Sequence, residues 1–418
     1  MNNLLIWLEN DFSPRMNKLN HNIWIVTLKD SVMQILPFIL LGSVFCIFAA
    51  GEEVFKLKLP FSFWDLFGWT MGMVAVLVAF LIPFNFCEKK KIKKQRLIAG
   101  MSGLILYFIA ISPELTSSKV IGFGSNAFGA GGMFCSIIMG LICCIVFSFF
   151  AKFSFFKEDS PIPEFVRQWF DSMLPIALIV ISGFLTTQLG GVNIYKLITG
   201  IFLPLQGVLN TWYGFVIINF LNCFIYSMGI SAWVLTPVET PVKLAAITSN
   251  IALVTAGTAT VDNLNIFTEA LVYTSYLWWG GIACTFPLVL FLAQSKSRKL
   301  KALGRACLAP SFFNINEPLV FGCIAWNPIM MIPMWIIGIV LPVIVWIGCK
   351  VIAFAPIISM QFDLWYTPFP VSTWIASKGS ISAVILAVIV LLVAGLIWYP
   401  FFKVYEKQCL NEEKQLAE

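Results

Sequence analysis

The sequence predicts an all-α integral membrane protein of about ten transmembrane helices, interrupted in places by re-entrant hairpins. Three observations predict it. Hydrophobic residues make up 59% of the chain and charged residues only 11%, the mean hydropathy is +0.88, and long apolar runs alternate with short basic segments. Soluble domains carry about 25% charged residues. The surplus apolar surface must therefore face lipid.

A span needs about 20 mostly apolar residues. Nine runs approach or exceed that length: 32–50, 64–86, 97–112, 133–150, 174–189, 212–234, 277–294, 328–354 and 382–402. Ahead of them, Glu9, Asp11, Arg15, Lys18 and Lys29 break any continuous apolar core. The leading residues read as a surface-lying segment and not as a cleavable signal peptide. Cytoplasmic loops carry an excess of Lys and Arg, which places the run Glu88-Lys89-Lys90-Lys91-Ile92-Lys93-Lys94-Gln95-Arg96 and the segment 296–305 inside. With a cytoplasmic N-terminus, two spans precede the first basic loop and four return the chain to the inside. Parity then demands a further crossing within 242–276 beside the 277–294 run. Two final spans leave Lys403 and Lys407 inside, so both termini are cytoplasmic. The lysine run also suits contact with anionic lipid or a docking partner.

The net charge of +6 sits in these loops and reports topology, with nothing to suggest nucleic-acid binding. Eleven cysteines are scattered, many in apolar runs, as with Cys46, Cys135, Cys143 and Cys144, and the single histidine is His21. No C-x-x-C pair occurs, so the cysteines read as small buried hydrophobes, with no metal site and no cofactor expected.

Polar groups survive at membrane depth only where they line a cavity or sit buried in protein. Three regions break the apolar pattern. Residues 231–267 hold Pro237, Glu239, Pro241, Lys243, Asn250, Asp262 and Asn265 among short apolar pieces. They read as a hairpin that enters and leaves on one side, or as an extramembrane loop with amphipathic helices. In the second region, Glu317 precedes Pro318 and a long apolar run, and Asn316 stands where a helix cap would. A carboxylate there can accept hydrogen bonds from sugar hydroxyls, or serve only as a capping charge. The third, Asp363-Leu364-Trp365-Tyr366-Thr367-Pro368, offers an aromatic platform for a sugar ring with a threonine hydroxyl beside it. An aromatic belt at the membrane interface is the competing reading.

The stretch Phe313-Asn314-Ile315-Asn316-Glu317-Pro318-Leu319-Val320-Phe321-Gly322, followed by Asn327-Pro328, carries a family resemblance. It is similar to the F-N-I-N-E-P-[IL]-[IV]-F-G and downstream N-P of the membrane-spanning IIC components of the phosphoenolpyruvate-dependent sugar phosphotransferase system. The branch it resembles is the lactose/cellobiose/chitobiose one. Weaker likenesses are Pro37 with Gly42-Ser43, Gly129-Ala130-Gly131-Gly132, Gly280-Gly281 with Thr285, Trp365 to Pro368, and Tyr399-Pro400-Phe401.

The resemblance implies a homodimeric sugar permease in the bacterial cytoplasmic membrane. Residues 1–190 would form a dimerisation half, 191–211 an amphipathic linker, 212–402 a transport half with two hairpins, and 403–418 a cytoplasmic tail. It implies that Glu317 binds the accepting hydroxyl and orients or deprotonates it, while Asn316, Trp365 and Thr367 help form the pocket. Separate IIB and IIA proteins would supply the phosphoryl group, since the chain has no hydrophilic stretch of that size. Whether this chain itself counts as an enzyme is left open. One departure stands out. Where the family carries G-I-H-G, this chain reads Gly229-Ile230-Ser231-Ala232. Serine can exchange hydrogen bonds with a sugar but cannot titrate near neutral pH. That keeps two other readings in view: an ion-coupled or facilitative sugar transporter of the same fold, and a sugar sensor.

Overall fold

The computed structural model describes residues 21–55, 60–115, 121–156, 161–230 and 235–415, and the fold is almost entirely helical. In chain order the main helices are α1 (Ile23–Gln34), α2 (Leu36–Phe55), α3 (Phe63–Thr70), α4 (Val74–Lys89), α5 (Arg96–Ala110), α6 (Met133–Phe150), α7 (Glu164–Phe184) and α8 (Ile194–Leu209). They continue as α9 (Trp212–Ser227), α10 (Thr236–Thr255), α11 (Phe286–Ala293), α12 (Arg298–Phe312), α13 (Pro328–Trp346) and α14 (Ile381–Gln415).

Two large apolar clusters organise them. One gathers buried residues from Ile35 to Ile198, together with Leu244, around α4, α5 and α6. The other gathers residues from Leu209 to Cys409 around α9, α11, α13 and α14. Small residues let the backbones approach, as membrane helices require when lipid gives no hydrophobic drive for association. Gly140 on α6 meets Ile82 of α4, and Gly338 on α13 meets the backbone of α9 at Phe220. The ten described cysteines are free and buried, consistent with use as compact apolar side chains.

By length and composition, five helical stretches suffice to cross a membrane: Phe63–Lys89, Ala130–Phe150, Glu164–Leu189, Pro328–Val351 and Ile381–Gln415. The bent pair α8 and α9 makes a sixth if it is one span. Several expected spans take other forms. The 277–294 run is not one helix, because α11 holds only 8 residues, about 12 Å of rise. Residues 277–285 ahead of it turn sharply, with positive φ at Gly280, Gly281, Ala283 and Cys284. The described part of the polar 231–267 region doubles back on itself, and Asn265 bonds to Asn250 and to the Ala246 carbonyl. Its core is α10, an unbroken 20-residue helix with Pro237 in its first turn, where the missing N–H costs nothing. A helix–turn–helix follows it, from Glu269 through the turn to Ala293.

An extended segment before α14 stitches this part together. Tyr276 donates to the carbonyl of Pro356 at 2.7 Å and Thr274 to that of Phe362 at 3.1 Å. Lys350 donates to the carbonyls of Val261 and Leu264, each at 2.6 Å. Near its end, α14 folds its carboxylates onto the chain just before α12. Glu406 accepts from the Ser295 hydroxyl at 2.7 Å. Glu413 accepts from the Ser297 hydroxyl at 2.6 Å and the Lys299 N–H at 3.0 Å. These donors hold the Glu413 carboxyl below its ordinary value, the Ser297 hydroxyl foremost.

Candidate functional site

The motif around Glu317 opens on a cavity of about 1050 Å³, open solvent at its mouth included, which α2, α9, α10, the 269–282 segment, the 314–317 turn and the 363–365 segment all line. Two asparagines assemble its floor. Asn314 takes a left-handed conformation, φ +61°, which asparagine tolerates better than most residues. Its side-chain oxygen accepts from the Gly280 N–H at 2.9 Å. Its amide donates to the carbonyls of Trp365 at 2.7 Å and Thr367 at 3.0 Å. One side chain therefore joins three segments distant in sequence.

Asn316 does related work and does not cap a helix as its position suggested. It stands at the N-cap, yet its side chain makes no capping bond. The amide instead donates to the Ile282 carbonyl at 2.8 Å and to the Thr285 hydroxyl at 3.1 Å. Tyr226 donates a long bond of 3.4 Å to its oxygen. Gly281 is required for this approach. Its φ is +100°, and a Cβ there would collide with the Asn316 carboxamide.

Glu317 begins the short helical turn Glu317–Leu319, with Pro318 in that turn as its missing N–H allows. Its carboxylate is exposed to the cavity, and it has no hydrogen bond or ion pair among the described residues. Trp365 is half-buried and lines the same cavity. Thr367 enters the network through its backbone carbonyl and is not among the lining residues. Ser231 lies outside the described residues. The structure thus brings Asn316, Glu317 and Trp365 together.

It also adds groups the sequence reading did not assign to the site. Lys243 on α10 lies 2.7 Å from Glu239, one turn away, and 3.1 Å from Glu269. Asn222 on α9 donates to the second oxygen of Glu239 at 2.6 Å. The lysine ammonium also sits 4.4 Å from the ring centre of Tyr273 and 5.4 Å from that of Phe267. Glu239 and Lys243 are only 3% and 5% exposed. Charges so buried survive because they compensate one another. The Glu-x-x-x-Lys spacing inside a weakly apolar stretch was the available signal. Nothing in the sequence tied Glu269 to it, whereas Asn314 lies in the motif that holds Glu317. Asp363 also lines the cavity and accepts from the Gln361 amide.

Apolar spans around a cavity of carboxylates, amides and a tryptophan, floored by a broken helical segment, define a membrane permease for a polar solute. Residues 29–338 match the family described as "Phosphotransferase system, EIIC". The chain belongs to that family, the sugar-permease component of a bacterial phosphotransferase system. It is 28% identical to the "PTS system lactose-specific EIICB component" of Staphylococcus haemolyticus over 99% of this chain and 72% of the relative. The protein of the same name from Staphylococcus epidermidis is 27% identical with the same coverage. The fold matches the crystal structure of the transporter ChbC, the IIC component from the N,N'-diacetylchitobiose-specific phosphotransferase system. The TM-score is 0.86 at 24% identity, covering 98% of this chain and 99% of that one.

Proposed function

We propose that this chain carries a β-linked disaccharide of the lactose, cellobiose or chitobiose type across the membrane and presents one hydroxyl to a phosphorylated IIB protein. The observation that carries the reading is the free carboxylate of Glu317 inside the cavity. Phosphoryl transfer depends mainly on positioning and charge stabilisation. Glu317 accepts the hydroxyl proton in a hydrogen bond and aims the oxygen at the incoming phosphoryl group, as a base or as an orienting group. Trp365 offers a face to a sugar ring. Asn316 acts by fixing the turn beside Glu317, with Ser231 as a further pocket residue and Thr367 supporting the floor through the carbonyl that Asn314 holds. The names of the staphylococcal relatives support the lactose-type cargo and, in their EIICB form, the coupling to a IIB unit.

The proposed frame keeps ten crossings, both termini cytoplasmic, and a homodimer built on residues 1–190, with 191–211 as linker, 212–402 as transport half and 403–418 as tail. Two contacts support the topology. Glu413 binds residues 297–299, so the C-terminal end shares a side with the second basic segment. Lys89 pairs with Asp30, which puts the start of α4's basic loop beside α1. The test is uptake of labelled disaccharides into vesicles with and without phosphoenolpyruvate and the IIB partner. Phosphorylated sugar should accumulate only with both. Unmodified sugar driven by a proton or sodium gradient would select the ion-coupled carrier instead.

A further inference from the structure

Phosphoryl transfer at Glu317 makes no use of the Glu239–Lys243–Glu269 cluster, although it lines the same cavity. Stability does not explain it, because well-packed apolar residues usually hold a buried position at least as well as an ion cluster. Its composition is informative. Two carboxylates and two aromatic faces surround one ammonium, which is a coordination shell suited to a monovalent cation. The two acidic members differ in access. Glu239 is enclosed and held by Asn222 as well, whereas the Glu269 side chain keeps 26% of its surface open.

We propose that Lys243 is a tethered counter-ion, a positioning residue. Its ammonium fills the place that a dissolved monovalent cation would otherwise have to take, and it holds the Glu269 carboxylate at the cavity wall. Sugar binding is thereby independent of dissolved cations. The inference rests on the reading that the cavity takes a sugar.

The test uses the purified full chain and a cellobiose, lactose or chitobiose titration in sodium, potassium or choline chloride at one ionic strength. Wild type should bind with the same affinity in all three. Lys243→Ala should bind about tenfold or more weaker in choline, and should recover when sodium chloride or n-propylammonium chloride is added. An affinity of wild type that changes between sodium and choline overturns the proposal. So does a Lys243→Ala variant indifferent to every cation.

Thermal unfolding without sugar supplies a second readout. Added n-propylammonium should raise the Tm of Lys243→Ala and leave wild type unchanged, and no rise in the variant overturns the proposal. If wild type binds none of the sugars, the transport reading fails while this readout still decides the role of Lys243. If Lys243→Ala does not fold, the charge-matched pair Lys243→Met with Glu239→Gln replaces it. That pair should fold and ignore cations. A cation response, or failure of the pair to fold, makes Lys243 a packing residue and overturns the proposal.

Discussion

Glu269 and Glu317 occupy near-identical local structures and meet different fates. Each is the first residue of a three-residue helical turn that runs on as a five-residue π-turn, Glu269–Leu271 into Val272–Tyr276 and Glu317–Leu319 into Val320–Ile324. Each lines the same cavity. Ahead of Glu269, Thr268 caps its helix, accepting from the Leu271 N–H at 3.2 Å. Ahead of Glu317, Asn316 leaves the helix uncapped and reaches across to Ile282 and Thr285. Glu269 is held by Lys243, while Glu317 has no partner among the described residues. Local backbone thus does not decide what a carboxylate does. The side chains brought to it from elsewhere do.

The comparison is most sharply broken at Lys243. Lys243→Met leaves two carboxylates without their counter-charge and should cost about 3–5 kcal/mol, read as a fall in Tm. Adding Glu239→Gln should recover much of the loss. A single variant as stable as wild type would mean the cluster is not an ion cluster in the membrane. Glu317→Gln should show the reverse pattern. Stability should be unchanged, because no protein partner is lost, while IIB-dependent phosphorylation falls by about 10²-fold or more. Normal transport by this variant removes Glu317 from the mechanism.

The two preceding residues separate the segments further. Asn316→Ala should destabilise by about 1–3 kcal/mol through buried groups left unpaired, and should weaken sugar binding by loosening the turn. Thr268→Ala removes only a cap, about 1 kcal/mol. Equal Tm losses in the two variants would erase the distinction. The smallest effect is expected at Glu413. Its carboxyl is held low by the Ser297 hydroxyl and the Lys299 N–H, so its contribution is present above the ordinary carboxylate pKa. That contribution is lost as pH falls through the lowered value. Glu413→Gln should therefore flatten the acid side of the Tm profile from the ordinary carboxylate range downward, and leave phosphorylation unchanged.

Much of this was readable in advance, and the failures share a cause. The membrane class, the span around α6, the span at α13 that follows the Asn327-Pro328 pair, and the Glu317 motif all follow from local composition and short motifs. The 277–294 run failed as a span because hydropathy counts apolar residues without seeing that Gly280 and Gly281 turn the backbone. In the 231–267 region, Glu239 and Lys243 look disruptive until they are seen to pair within one helix.

The sequence by itself determined that the chain lives in a membrane and which carboxylate begins the signature turn. Those properties are sums over neighbouring residues. Only the tertiary structure decided that Asn314 and Asn316 build the floor, that Lys243 holds Glu269, and that Glu317 is left free. Each of those depends on which distant side chain satisfies a buried polar group, and in a medium without water that choice is made by contact across the fold.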